Sequence, residues 1–88
     1  MPDDGVLEVT DEIFDDVLAK NPIMMLEFHA AWCNHCKKLA PEYAKAAKKL
    51  FSLNPTYLLA KIDSTENKKI TDQFGVKGFP TMLFFKDG

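Results

Sequence analysis

The sequence predicts an α/β fold in which helices cover both faces of a sheet. Three observations predict it. Strand-like and helix-like stretches alternate along the whole chain, in the order strand, helix, strand, helix, strand, helix, strand. One strand, Ile23–His29, is apolar almost without interruption, the pattern of a strand covered on both sides. At Cys33 the apolar period changes from that of a strand to that of a helix.

In chain order, residues 7–10 form a short extended segment. Thr10 is expected to cap a helix whose first turn holds Asp11 and Glu12, acids suited to the positive end of the helix dipole. Ile13, Phe14, Val17 and Leu18 give that helix one apolar face, and Asn21-Pro22 stops it. Alternation in Ile23–His29 places Met25, Glu27 and His29 on one face, with Met24, Leu26 and Phe28 on the other. A helix is expected from residue 33 to about residue 52. Its stripe is Leu39, Tyr43, Ala47 and Leu50, with Lys37, Lys38, Lys45, Lys48 and Lys49 mostly outside it. Pro41 falls inside this helix, lacks a donor and is expected to kink it. A strand over Tyr57–Asp63, a short helix over 66–74, a turn-rich connection over 75–80 and an apolar strand over Thr81–Lys86 complete the chain.

Eighty-eight residues, 47% apolar and 27% charged, make one small globular domain. The abundance of Phe, Leu, Ile and Val excludes an obviously disordered chain. No apolar run approaches the ~18 residues of a membrane span. The net charge of -2 argues against a nucleic-acid partner, as does the lack of arginine: all eleven basic residues are lysine, so no forked donor is present for phosphate or base edges. The first twenty residues carry Asp3, Asp4, Glu8, Asp11, Glu12, Asp15 and Asp16, the opposite of a basic, apolar secretory leader. That fits a cytosolic parent or a mature domain cut from something longer.

Both cysteines lie in Trp32-Cys33-Asn34-His35-Cys36. A bridge between residues three apart closes a very small ring and constrains the unfolded chain weakly, so a structural staple is a poor reading. Metal binding or redox chemistry remains. The pair falls where a buried strand gives way to a helix, so Cys33 would face free backbone donors and the positive dipole end, which favour thiolate over thiol. A protonated His35 adds positive charge nearby. Cys36, one turn inward, is placed to resolve a mixed disulfide formed on Cys33. Two rivals stand beside this reactive dithiol. A zinc site would need His35 and His29 with both cysteines, and its tetrahedral closure looks strained. Inert buried cysteines have no reason to fall at a helix start.

The run Leu26-Glu27-Phe28-His29-Ala30-Ala31-Trp32-Cys33-Asn34-His35-Cys36-Lys37-Lys38-Leu39-Ala40-Pro41-Glu42-Tyr43 resembles the active-site segment of the thioredoxin superfamily, and within it the catalytic domains of protein disulfide isomerases. Ala60-Lys61-Ile62-Asp63 and Gly78-Phe79-Pro80-Thr81 resemble that family's third strand and cis-proline loop. The resemblance covers essentially the whole chain. It implies a thioredoxin-like fold, a central mixed sheet flanked by helices, and a thiol–disulfide oxidoreductase and isomerase that needs neither metal nor organic cofactor.

Roles follow residue by residue from the resemblance. Cys33 matches the attacking thiol and Cys36 the resolving thiol. His35 matches the histidine that stabilises reduced Cys33 and makes the disulfide more oxidising. Glu27 matches a buried carboxylate that helps move the proton of Cys36; a carboxylate in an apolar strand should have a raised pKa, which suits that task. The plainer alternative is an edge-strand residue that reaches water. Lys61 matches a lysine that pairs with this carboxylate. Pro80 matches a cis-proline whose loop faces the dithiol and presents backbone groups to an extended substrate. Trp32 and Phe79 are candidate apolar contacts for unfolded clients.

Three positions depart from the family pattern. Asn34 stands in place of glycine between the cysteines, Ala31 in place of proline, and His29 in place of an aromatic residue. His29 is read as a surface histidine in preference to a second titrating group near the site. None of the three removes a residue the reaction requires.

The expected partners are unfolded or misfolded proteins with thiols or disulfides, and a redox partner such as an oxidase or glutathione. The family implies an endoplasmic-reticulum lumen for the parent protein. The rival functions are a cytosolic thioredoxin-like reductase and a redox-inactive module that binds unfolded chains on Trp32, Phe79 and Pro80. A thiolate stabilised by His35 weighs against the first, because it makes a weaker reductant; the two cysteines weigh against the second. Thioredoxin-like domains continue beyond a strand such as Thr81–Lys86 with a further strand and a C-terminal helix. The resemblance therefore implies a C-terminally incomplete domain, with an open sheet edge that lowers stability or invites dimerisation through strand exchange.

Overall fold

A computed structural model describes residues 5–88, so Asp3 and Asp4 of the acidic N-terminal stretch lie outside the described residues. Its elements are β1 (Leu7–Val9), α1 (Phe14–Lys20), β2 (Ile23–His29), α2 (Asn34–Leu53), β3 (Tyr57–Asp63), α3 (Lys68–Gln73) and β4 (Thr81–Lys86). The strands form a sheet in the order β1-β3-β2-β4. β1 and β2 run parallel to β3, and β4 runs antiparallel to β2, so the sheet is mixed.

The uninterrupted apolar run of β2 is explained by this order. β2 is hydrogen-bonded on both sides and covered on both faces. Met24, Leu26 and Phe28 pack with Val9 and Ile62 against Phe14 and Val17 of α1 and Ile70 of α3. On the opposite face, Met25 and Leu59 meet Tyr43 and Ala47 of α2. Phe14, Met24, Leu26 and Phe28 are all at most 1% exposed, and removing each from water contributes ~1.5–3 kcal/mol. The Tyr43 hydroxyl reaches under the sheet to the Ala60 carbonyl at 2.8 Å and lies 3.0 Å from the Met25 carbonyl. Its burial pushes the phenol well above its ordinary pKa, so it stays a neutral donor that fixes α2 over β2 and β3.

The two short helices begin later than their sequence signals suggest. The Ile13 N–H does meet the Thr10 hydroxyl at 3.4 Å, but residues 11–13 form a turn and α1 starts at Phe14. Ile13 is 38% exposed and lies off the buried face that Phe14 and Val17 make. The physical reason is that Asp11 serves another helix. Its carboxylate accepts the N–H of Ile70 at 2.9 Å and of Lys69 at 3.1 Å, while its own N–H donates to Asn67 Oδ1 at 2.8 Å. Asp11 thus caps α3 from across the chain. Residues 63–67 are held in a turn by Asp63, which accepts the Thr65 N–H at 3.0 Å, so α3 opens at Lys68 rather than at residue 66. Gly75, at φ 66°, closes α3 in the left-handed conformation common after helices.

α2 runs continuously through Pro41. β4 occupies one sheet edge; Leu83 and Phe85 turn to the core, while Met82 and Phe84 are 47% and 60% exposed on the α2 side. Among the described residues no helix is long and apolar enough to cross a membrane.

Candidate active site

The chain leaves β2 at His29, turns through a hydrogen bond from the Cys33 N–H to the Ala30 carbonyl at 3.1 Å, and enters α2. Cys33 is the N-cap of α2, with extended backbone at φ -85° and ψ 108°. Helices begin with backbone N–H groups that have no partner inside the helix. Here the Cys33 sulfur accepts one of them, the Cys36 N–H, at 3.1 Å. The two cysteines form a disulfide with their Cα atoms 5.2 Å apart. Each is 5% exposed, and the pair packs with Ala30 against Phe79. The sequence-level placement of Cys33 at a helix start is therefore the placement observed.

The second wall comes from the loop before β4. The Phe79-Pro80 bond is cis, as the family resemblance implies. The Thr81 hydroxyl donates to the Gly78 carbonyl at 2.6 Å and closes this turn. Phe79 is half-buried against the cysteines, and its ring meets Trp32 edge to face at 5.7 Å. Trp32 is 68% exposed and lines the rim beside the disulfide. Asn34 and His35 sit exposed on the first turn of α2.

Beneath Cys36 lies a cavity of about 220 Å³ whose polar lining comes from Glu27, His29, Lys37 and Lys61. Glu27 is 3% exposed on an interior strand, so the edge-strand alternative does not apply. Burial raises its pKa above the ordinary value of 4.5, and the charges of His29 and Lys61 pull it partly back. Lys61 is the direct register partner of Glu27 on β3 and projects from the same face. His35 is not among the cavity residues; Glu27, Lys61 and Cys36 line one cavity, while Phe79, next to Pro80, packs on the cysteines and meets Trp32.

His29 corrects the sequence reading. It is a half-buried cavity residue rather than a surface histidine, and its Nε2 is fully buried with no hydrogen-bond partner among the described residues. Its register partner on β3 is Asp63. The Thr65 hydroxyl and N–H hold the Asp63 carboxyl below its ordinary range, at 2.6 and 3.0 Å, and His29 adds to that effect. The signal was present in the strand alternation, which puts His29 on the face of Glu27. Residue-type statistics alone pointed the other way.

Among the described residues, no group of three or more His, Cys, Asp or Glu side chains is arranged to hold a metal ion.

Comparison with known proteins agrees with this geometry. The thioredoxin family profile matches residues 5–88. The chain is 48% identical over 87 residues to protein disulfide-isomerase A4 of Rattus norvegicus, covering 99% of this chain and 14% of that protein. It is 48% identical over 86 residues to protein disulfide-isomerase of Gallus gallus, covering 98% and 17%. The chain thus spans less than one fifth of the length of these curated relatives. Among solved structures, the first thioredoxin domain of mouse protein disulfide-isomerase A4 superposes with a TM-score of 0.91 at 40% identity, over 100% of this chain and 63% of that one. A mutant thioredoxin from Halobacterium salinarum gives 0.82 at 32% identity, over 100% and 74%.

Proposed function

This chain belongs to the thioredoxin family, and we propose that residues 1–88 act as one catalytic domain of a thiol–disulfide oxidoreductase and isomerase for proteins. The observation that carries this reading is Cys33 at the N-cap of α2, bonded to Cys36, with Phe79 of the cis-Pro80 loop packed on the pair and buried Glu27 lining the cavity at Cys36.

In the oxidising direction, a client thiolate attacks the Cys33 sulfur and the Cys33–Cys36 bond breaks, with Cys36 leaving as a thiolate that takes up a proton. A second client thiolate then attacks the client sulfur of the mixed disulfide. Cys33 leaves, the client gains a disulfide and the domain is left as a dithiol. In the reducing or isomerising direction, the Cys33 thiolate attacks a client disulfide. Cys36, deprotonated by Glu27, attacks Cys33 and releases the client as its second thiolate. Charge at the helix start stabilises the Cys33 thiolate, and His35 on the same turn contributes to it when protonated. Lys61 keeps the Glu27 carboxylate accessible by opposing its burial.

Trp32, Phe79 and Pro80 form an apolar rim that suits unfolded or misfolded protein clients bearing thiols or disulfides. An oxidase or glutathione closes the cycle. The proposed home of the parent protein is the endoplasmic-reticulum lumen, a reading supported by the likeness to protein disulfide-isomerases. The exposed edge strand β4 supports dimerisation as an additional property, tested by whether the melting temperature depends on concentration.

The deciding experiment is refolding of a scrambled, disulfide-containing protein with wild-type chain and with Cys36→Ser. The wild type is expected to restore the native substrate. The variant is expected to accumulate a mixed disulfide on Cys33, because nothing resolves it. Restoration without any trapped adduct would overturn the two-step mechanism. Alkylation of reduced Cys33 should also show a midpoint below the ordinary thiol value of about 8.5.

A further inference from the structure

We propose that His29 is a proton-relay residue, acting through Glu27, that joins the buried carboxylate to solvent while Cys36 resolves a mixed disulfide. This rests on the dithiol reading above and adds a step to it. Deprotonation of Cys36 by Glu27 leaves the proton on a carboxyl that is 3% exposed. The Cys36 thiolate persists long enough to attack only if that proton moves on, and a group buried this deeply needs a path.

His29 is placed to be that path. It follows Glu27 by two positions on β2, so both side chains project from one face into the same cavity. Its Nε2 is buried and unpartnered among the described residues, while the residue as a whole is only half-buried. The ring thus carries a dry nitrogen in a residue that is partly exposed. A buried polar atom without a partner is costly, so its presence here calls for a reason. Imidazole changes protonation near neutral pH and has two nitrogens, which lets it accept a proton on one side and release one on the other.

The surrounding charges are consistent with that direction of travel. Glu27 of its own strand lines the same cavity as His29; β3 brings Lys61 to that cavity and Asp63 opposite His29 in register; from α2 the cavity receives Lys37 and Cys36. The Glu27 and Asp63 carboxyls both feel the charge of His29. Glu27 is buried two positions before His29 on the same strand face, and Asp63, half-buried and hydrogen-bonded to Thr65, is the register partner of His29 on β3. The balanced sequence is short. The Cys36 thiol gives its proton to the Glu27 carboxylate, Glu27 passes a proton through water in the cavity to His29, and the other ring nitrogen releases one to solvent. The Cys36 thiolate, no longer facing a protonated Glu27, attacks the Cys33 sulfur. The bond from Cys33 to the client breaks, and the client leaves with the electron pair as a thiolate. The client thiolate is protonated from solvent.

The test measures two rates on the reduced 88-residue chain across pH 5 to 9, using a small aromatic disulfide as the client. The first is attack by Cys33, read as release of the first aromatic thiolate. The second is resolution by Cys36, read as the second release. His29→Ala and His29→Gln are each expected to slow resolution about tenfold with little change in the first rate, a smaller effect than direct general-base catalysis supplies. Added imidazole is expected to restore resolution in His29→Ala, since the 220 Å³ cavity widens further when the ring is removed. Resolution at the wild-type rate in both variants overturns the relay. A slowed rate that imidazole does not restore, with the same pH profile as the wild type, assigns His29 a structural role and also overturns it. His29→Gln keeps the test valid if the alanine variant fails to fold. A wild-type chain with no second release removes the dithiol mechanism itself, an outcome distinct from a relay defect.

Discussion

Glu27 and Lys61 stand directly opposite one another on β2 and β3, so a carboxylate and an ammonium share one face of the sheet beneath α2. The pair is unequal. Glu27 is buried, Lys61 is half-buried, and for Glu27 the loss of water outweighs the attraction of its neighbours, leaving the carboxyl with a raised pKa.

A stability consequence follows for Glu27→Gln. Because the folded-state pKa is raised above 4.5, the fold favours the protonated form. That contribution is fully present below the unfolded value and is lost as pH rises through the folded one. The glutamine variant is therefore expected to melt higher than the wild type at pH 7 and to match it near pH 4. Each tenfold of proton affinity corresponds to ~1.4 kcal/mol, or roughly 5–10 °C for a domain of this size. Thermal melts of both chains between pH 4 and 8 provide the check, and an equal or lower melting temperature for the variant at pH 7 would contradict it.

Lys61→Met tests the same pair by function. Removing a positive neighbour removes one influence that lowers the Glu27 pKa, so the carboxyl stays protonated to higher pH. As a proton acceptor it then becomes competent later. The pH profile of the Cys36 resolution step is expected to move to higher pH, with a loss of rate at pH 6–7 that alkaline conditions recover.

Trp32→Ala separates client binding from folding. At 68% exposure the ring contributes little to the core, and the stability change is expected to stay within ~0.5 kcal/mol. Its edge-to-face contact with Phe79 forms the apolar rim, and losing such an anchor typically weakens binding by ~1–2 kcal/mol, about five- to thirtyfold in Kd. Titration with an unfolded, cysteine-free peptide should show that loss. Unchanged affinity would take Trp32 out of the client surface.

Asp11→Ala addresses the trans cap. Two α3 amides lose their acceptor, at a cost of about 1–2 kcal/mol by comparison with ordinary N-caps, or ~4–15 °C in melting temperature. Asp11→Asn, which keeps one side-chain acceptor, should fall between the two.

The long strands are legible in the sequence to their ends, since Ile23–His29 and Tyr57–Asp63 each follow an Asn-Pro signal and Thr81–Lys86 follows Pro80. The start of α2 is equally legible, because the apolar period changes at Cys33. Less legible are the starts of α1 and α3. Asp11 looks like a first-turn acid for the helix beside it, and only the folded chain reveals that its carboxylate is committed to Lys69 and Ile70. Sequence patterns report local periodicity and are blind to such long-range caps. His29 shows the same limit. Alternation gives its face, but whether that face carries water or a cavity depends on α2 closing over it.

The sulfur that caps α2 is also the atom that changes oxidation state. Oxidation and unfolding therefore form a closed thermodynamic cycle around Cys33. The gap in unfolding free energy between the disulfide and dithiol forms must equal the gap in reduction free energy between the folded and unfolded chains. Any group that makes the helix end a better host for a thiolate strengthens the folded disulfide as an oxidant by the same amount. With ~1.4 kcal/mol equivalent to 30 mV for a two-electron couple, a pair of melting curves serves as a potentiometer.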